Sequence, residues 1–131
     1  MDDKVAALRG VPLFVGLNDR SLQAVAILAR EISAPVGEIL ILEGEPGDAF
    51  YVILDGTIRV EHGDRTVRSM TAGGFLGEIA LVERGARTAT ATCVTDCRLL
   101  EIKRHEFERL MDTMPAVHRR IRTAMERRAR E

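Results

Sequence analysis

The sequence predicts an α+β fold, mainly β, in which a barrel or sandwich-like roll of short antiparallel strands lies between helical segments. Two observations predict it. Between residues 37 and 85, nine glycines separate short stretches that are rich in β-branched residues, which is typical of an all-β roll. Before residue 35 and after residue 103, the apolar residues instead follow helical spacing. The 131 residues fit one domain with its own core.

Two helices are predicted before the roll. Residues 3–9 form a short amphipathic segment, and a second helix extends to about Arg30 after a cap at Asn18 or Asp19. The apolar face of this second helix is formed by Leu22, Val25, Ala26, Ile27, Leu28 and Ala29. The first ten residues are acidic and amphipathic, unlike a signal peptide. We therefore expect a cytoplasmic protein, or a domain cut from a longer one.

Six short strands are predicted through the middle of the chain. They are 38–42, 50–54, 57–62, 65–70, 88–95 and 97–102. Gly63 and Asp64 stand between two of these strands and predict a tight hairpin turn. The residues predicted to form other turns are Gly44, Gly47, Asp48 and Gly56.

Two helices are predicted after Lys103. The first, over about 104–113, places Phe107, Leu110 and Met111 on one face, and Pro115 then opens the next helix as its first residue. The last helix carries an apolar stripe formed by Val117, Ile121, Ala124 and Met125. This stripe fits either packing against the chain's own roll or the pairing of two chains.

Composition excludes several classes of protein. The formal net charge of −1 gives no overall attraction to nucleic acid or to an anionic membrane, although residues 115–131 hold six arginines against two glutamates. No apolar run approaches the roughly 18 residues of a membrane span. Cys93 and Cys97 lack a second pair for a metal site, so we expect them to pack within strands. The sequence shows no catalytic constellation, so we expect no enzyme activity and no cofactor.

A candidate ligand site lies in residues 73–90. Glu78 follows the glycine-lined turn that ends at Gly77, and Arg87 comes nine positions after Glu78. A carboxylate accepts hydrogen bonds from a sugar hydroxyl, and a guanidinium suits a phosphate. The pattern therefore predicts a pocket for a sugar phosphate, most simply a cyclic monophosphate. The alternative is a surface salt bridge between Glu78 and Arg87 in a turn-rich loop.

Three segments resemble the cyclic nucleotide-binding domain family. FLGEIALVERGARTAT is similar to the family's phosphate-binding cassette, and GEPGDAFYVILDG is similar to its conserved upstream segment. LRGVPLFVGLNDRSLQAVA resembles its helical lead-in. The resemblance implies a jelly-roll-like antiparallel β-roll over 35–103 with the cassette at 75–89. It also implies an N-terminal helical segment at 1–34, and hinge and lid helices at 104–131.

The resemblance also implies a role for each matching residue. Glu78, with Gly77 alongside, would bind the ribose 2′-OH. The cyclic phosphate would be bound by Arg87 and Thr88, and by backbone N–H groups around Ile79, Ala80 and Ala89. Val60 and Met70 would form apolar walls for the base, or else only fill the interior of the roll. Arg128 would cover the base as part of the lid, or else belong to a solvated arginine face.

The function implied by the resemblance is that of a non-catalytic sensor. It would bind cAMP or cGMP, with cAMP preferred as the more widespread bacterial messenger, and report occupancy to an attached or separate effector through its C-terminal helices. One alternative is a truncated transcription regulator of the cyclic-nucleotide-responsive kind that lacks its DNA-binding module. Nucleic acid binding by this chain alone is not expected. Another is an interaction domain that has lost the ligand, against which the intact Glu78 and Arg87 argue.

Overall fold

The structure is a computed structural model, and it describes residues 3–131. Its helices are α1 (Asp3–Arg9), α2 (Asp19–Leu28), α3 (Glu78–Val82), α4 (Arg104–Thr113) and α5 (Pro115–Arg128), with a 3₁₀ turn at Pro12–Phe14. Its strands are β1 (Arg30–Ala34), β2 (Ile39–Ile41), β3 (Ala49–Asp55), β4 (Ile58–His62), β5 (Arg65–Met70), β6 (Phe75–Leu76), β7 (Thr90–Cys93) and β8 (Cys97–Lys103).

The strands form two four-stranded antiparallel sheets. One sheet has the order β1-β8-β3-β6, and the other has the order β2-β7-β4-β5. Strands that follow one another in sequence often lie in different sheets. The connections therefore cross from one sheet to the other and join the two sheets into a roll. The predicted fold, an antiparallel β-roll flanked by N-terminal helices and two C-terminal helices, is confirmed.

The sequence-based boundaries were wrong at two places. Helix α2 starts after an Asn18 cap that accepts a hydrogen bond from the Ser21 amide, but it ends at Leu28 rather than Arg30. Residues 30–34 form strand β1, which pairs with β8, so the sheet begins before residue 35. Only Ala34 of this edge strand is buried, and therefore no apolar alternation marked it. The two-residue strand β6 lies in the glycine-rich turn and was also missed.

Two hydrophobic clusters hold the domain together. The first lies between the helices and the outer face of one sheet, and within it the Phe107 ring is 5.1 Å from the Phe50 ring. The second lies between the two sheets and includes the buried thiols of Cys93 and Cys97, which are free. The apolar stripe of α5 packs in the first cluster, where Ile121 is fully buried. The stripe therefore packs against the chain's own fold, which places the end of α5 over the roll.

Candidate functional site

A cavity opens between α3 and the strands of the second sheet. It is narrow, with a volume of about 40 Å³ in which the centre of a water molecule fits. Its lining consists of Ile41, Val60, Arg68, Leu76, Gly77, Glu78, Ile79, Ala80, Arg87, Thr88, Ala89 and Ala91. Most of the wall is apolar, and the ionisable side chains on it are one carboxylate and two guanidiniums. Such a wall suits a small ligand that carries both an anionic group and hydroxyls.

Arg87 is a buried cation on this wall. Its side chain is held by two backbone carbonyls: Nη1 donates to Gly77 O at 2.9 Å and Nη2 to Ala49 O at 2.7 Å. Burial lowers its pKa, while the nearby Tyr51 phenol and Asp48 carboxylate act in the opposite direction. Within residues 3–131, no carboxylate lies within ion-pair distance of Arg87. Its positive charge is thus oriented but not neutralised, which is the condition for binding an anion.

Two glycines make room for the Arg87 side chain. Gly77 has φ +96°, and a Cβ there would lie 2.8 Å from Ala49 O and 3.0 Å from Arg87 Nη1. A Cβ at Gly47 would lie 2.6 Å from the Ala80 Cβ and 3.0 Å from Arg87 Cζ. The interpretation of Gly47 as a turn residue was therefore incomplete. Its lack of a side chain lets the guanidinium pass between β3 and α3.

Glu78 is the buried carboxylate of the site, with 1% of its surface exposed. Arg128 Nη1 donates to Glu78 Oε1 at 2.5 Å, and Arg128 Nη2 donates to Phe75 O at 2.7 Å. The Arg128 guanidinium also lies 4.6 Å from the centre of the Phe75 ring. The alternative of a surface salt bridge between Glu78 and Arg87 is contradicted, because both are buried and Glu78 pairs with Arg128.

The end of α5 borders a second compartment next to the cavity. This compartment is larger, with a volume of about 290 Å³ for the centre of a water molecule, and it shares Val60, Arg68 and Thr88 with the cavity. Met125 and Arg128 close its α5 side. The Arg128 side chain is only 11% exposed. Arg128 is thus not part of a solvated face, and it stands at the junction of the two spaces.

Arg68 on β5 is a site residue that the sequence analysis missed. It is the cross-strand partner of Val60, and its side chain is 21% exposed. It forms an ion pair with Glu131, but its buried Nε has no hydrogen-bond partner among the described residues. Burial and the charge of Arg128 lower its pKa to about 10, against the effect of Glu78. No sequence signal marked it, because an irregularity between Val60 and Glu61 shifts the register and puts Arg68, rather than Val67, opposite Val60.

The structure brings together nine of the ten predicted site residues. Those that line the cavity are Val60, Gly77, Glu78, Ile79, Ala80, Arg87, Thr88 and Ala89, and Arg128 stands at its edge. Met70 instead packs against the core between the sheets, where its Cε lies close to Gly74. The roles of all ten residues toward a ligand stay predictions.

Other chemistries have little support in residues 3–131. No group of three or more His, Cys, Asp or Glu side chains in this range could hold a metal ion. Burial raises the pKa of Cys93 to about 12, so this thiol is protonated and unreactive near neutral pH. No helix in the same range is long and apolar enough to cross a membrane.

The chain is similar in sequence to known proteins. The chain is 34% identical over 119 residues to a cyclic nucleotide-gated potassium channel of Rhizobium etli, covering 90% of this chain and 33% of the channel. It is 32% identical over 117 residues to a cAMP-dependent protein kinase regulatory subunit of Emericella nidulans, covering 88% of this chain and 28% of the subunit. This chain therefore spans about a third of the length of these curated relatives.

Solved structures show the same fold. The regulatory domain of Toxoplasma gondii PKA, crystallised with cAMP, superposes with a TM-score of 0.83 at 25% identity. The match covers 95% of this chain and 49% of that one. The sequence profile of the cyclic nucleotide-binding domain matches residues 31–114. On this evidence the chain belongs to the cyclic nucleotide-binding domain family.

Proposed function

We propose that this domain is a non-catalytic sensor that binds cAMP, or cGMP, in the cavity between α3 and the second sheet. The observation that carries the proposal is the buried Arg87 guanidinium, which is held in place by two carbonyls and has no carboxylate partner within residues 3–131. A cyclic phosphate would supply the missing negative charge. The channel and kinase regulatory relatives, whose names specify cyclic nucleotides or cAMP, support this ligand class.

The two ends of the ligand would bind to different residues. Arg87 and Thr88 would bind the phosphate, with backbone N–H groups around Ile79, Ala80 and Ala89. The Glu78 carboxylate would accept a hydrogen bond from the ribose 2′-OH, because a carboxylate at the phosphate end would repel it. The base would extend past Val60 into the compartment under α5. The cavity and the compartment share part of their lining, which supports placing the two ends of a nucleotide in them.

Occupancy would reach α5 through the partner of Glu78. Arg128 binds the same carboxylate that the ribose would bind, so a nucleotide must share or replace that ion pair. A second connection runs through the first hydrophobic cluster, in which Leu81 of α3 and Phe107 of α4 both lie. Ligand can shift the α5 equilibrium only if it favours one arrangement of these contacts. We propose that the nucleotide moves Arg128 from Glu78 onto the base and holds α5 more firmly over the roll.

Calorimetric titration with cAMP, cGMP and 5′-AMP tests the ligand class. We expect one molecule of cyclic nucleotide per chain and binding of 5′-AMP at least about tenfold weaker. Its open phosphate is a dianion, whereas Arg87, which has no carboxylate partner among residues 3–131, supplies a single positive charge. Absence of binding by both cyclic nucleotides would refute the proposed function.

Amide exchange tests the relay to α5. Exchange in residues 115–131 should slow when nucleotide is added, and unchanged exchange would refute the relay.

A sensor of this kind acts on an effector. The match covers 33% and 28% of the two curated relatives. We propose that the domain reports to an attached or separate effector in the cytoplasm and works without a cofactor. A pull-down with and without cAMP would show whether a partner's binding depends on the ligand.

A further inference from the structure

The peptide unit between Thr88 and Ala89 is held by a side chain from another strand. His62 is the last residue of β4, and its Nδ1 lies 2.9 Å from Thr88 O. Because a carbonyl oxygen only accepts hydrogen bonds, Nδ1 carries the hydrogen and donates it. The two residues are 26 positions apart in the sequence. The hydrogen bond therefore ties the end of β4 to the segment that follows Arg87.

Glu43 keeps the His62 ring in this position. Its Oε2 lies 3.4 Å from His62 Nδ1, and its Oε1 accepts a hydrogen bond from the Gly63 amide at 3.0 Å. The Glu43 amide donates to Thr90 Oγ1 at 3.0 Å, which ties Glu43 to β7 as well. The imidazole is thus held between the Glu43 carboxylate and the Thr88 carbonyl, although its side chain is 61% exposed.

A fixed carbonyl also fixes the amide of the same peptide unit, because the unit is planar and trans. The Thr88 carbonyl points toward His62, so the N–H of Ala89 points away from it. Ala89 lines the cavity, and its N–H is one of the donors proposed for the cyclic phosphate. The hydrogen bond from His62 therefore sets the direction of a proposed phosphate contact.

The main chain of Arg87 is held in a different way. Its N–H donates to Glu45 O at 2.8 Å, and its carbonyl accepts from Gly44 N at 2.9 Å. These two bonds join main-chain groups and do not depend on any side chain. The bond to Thr88 O, in contrast, depends on the identity of residue 62. A substitution there changes the Ala89 donor while the main-chain bonds of Arg87 remain.

We infer that His62 is a positioning residue for the phosphate end of the site, and that it orients the Ala89 N–H toward the phosphate through the Thr88 carbonyl. The inference rests on the proposed function. Donors that are already oriented bind a charge more strongly than donors that must reorient. Because every cyclic nucleotide carries the same phosphate, loss of the imidazole lowers the affinities for cAMP and cGMP alike. The ring also borders the base compartment, and a direct contact with the base would instead change the ratio of the two affinities.

Calorimetry with cAMP and cGMP on the wild type and three variants of His62 tests the inference. His62→Leu and His62→Ala lack a donor, so both nucleotides should bind about three- to tenfold more weakly. In His62→Asn, the side-chain Nδ2 lies as many bonds from the main chain as the histidine Nδ1 and donates to the same carbonyl. Its affinities should return to within about twofold of the wild type. His105→Leu is the control, because it removes an exposed imidazole from α4, and it should leave both affinities unchanged.

The two phosphorothioate diastereomers of cAMP show whether the effect arises at the phosphate. Each carries sulfur in place of one exocyclic phosphate oxygen, and sulfur is a weak hydrogen-bond acceptor. The diastereomer with sulfur at the position that faces the Ala89 N–H has already lost most of this bond, so His62→Leu should weaken it less than the other. The ratio of the two affinities should change at least about threefold in His62→Leu and return in His62→Asn. A general loosening of the fold would lower both affinities alike and leave their ratio unchanged.

The outcomes separate this inference from the proposed function. Failure of the wild type to bind either cyclic nucleotide overturns both. If the wild type binds them and His62→Leu and His62→Ala bind equally well, the proposed function stands and the inference is wrong. A changed ratio of cAMP to cGMP affinity, an unchanged phosphorothioate ratio, or no recovery in His62→Asn would each show that His62 does not act through the Thr88 carbonyl.

Discussion

Replacing Arg87 by alanine tests the phosphate end of the site. In the structure, this guanidinium is fixed by Gly77 O at 2.9 Å and Ala49 O at 2.7 Å, so it is preorganised for an anion. Hydrogen bonds to charged groups contribute about 1.5–3 kcal/mol each. If one or two reach the phosphate and water replaces part of the loss, Arg87→Ala should weaken binding of cAMP and cGMP by at least about 2 kcal/mol, roughly 30-fold.

The assay is calorimetric titration at a temperature where circular dichroism shows the variant folded. That check matters because the substitution leaves two carbonyls without their donors and should also lower the melting temperature. Arg84→Ala is the matched control, because Arg84 lies in the same segment but is 75% exposed and pairs with Glu108 on the surface. The control should bind as the wild type does. A folded Arg87→Ala variant with affinity within threefold of the wild type would refute the assigned phosphate role.

Three further predictions concern stability. Gly77→Ala should lower the free energy of unfolding by about 1–3 kcal/mol, because of its φ of +96° and its contacts, whereas Gly85→Ala meets open space and should change little in urea denaturation. Arg128→Met should lower the free energy of unfolding by about 3–5 kcal/mol, because it leaves Glu78 buried without its partner. The double variant with Glu78→Gln should recover much of this stability, and equal losses in the single and double variants would contradict the coupling. Because folding raises the pKa of Cys93 from 9.0 to about 12, only the unfolded chain loses this proton just above pH 9, so stability should fall there by up to about 1.4 kcal/mol per pH unit. Cys93→Ala should flatten this decline, and an unchanged slope would show that another group causes it.

The order of the elements could be read from the sequence because local signals were strong. Glycines and β-branched residues marked the strands, and Pro115 at the start of α5 separated the last two helices as predicted. Strand β1 gave no such signal, since it lies at a sheet edge and exposes charged residues on both faces. Its pairing with β8 joins residues about 70 positions apart, which no local pattern records.

The candidate site could likewise be predicted where its residues lie close together in the sequence, and not where they meet through long-range packing. Glu78 and Arg87 could be selected from one short segment, because their chemistry and the surrounding glycines lie together in sequence. Arg128 and Glu78 lie 50 positions apart and meet because of how α5 packs. Spacing alone therefore predicted only that Arg128 lies near the base, and not that it pairs with Glu78. Arg68 and Met70 occupy the same strand two positions apart. Only the register with β4 shows that Arg68, and not Met70, stands opposite Val60.

Removing the 2′-OH of the ligand and the carboxylate of Glu78, separately and together, tests whether Glu78 binds the ribose. The affinities of cAMP and 2′-deoxy-cAMP are measured on the wild type and on Glu78→Gln. If the carboxylate accepts a bond from the 2′-OH, removal of the hydroxyl should cost the wild type about 1.5–3 kcal/mol and the variant much less. Equal losses in the two proteins would mean that Glu78 does not contact the ribose, and the assignment of sugar and phosphate to opposite ends of the cavity would be wrong.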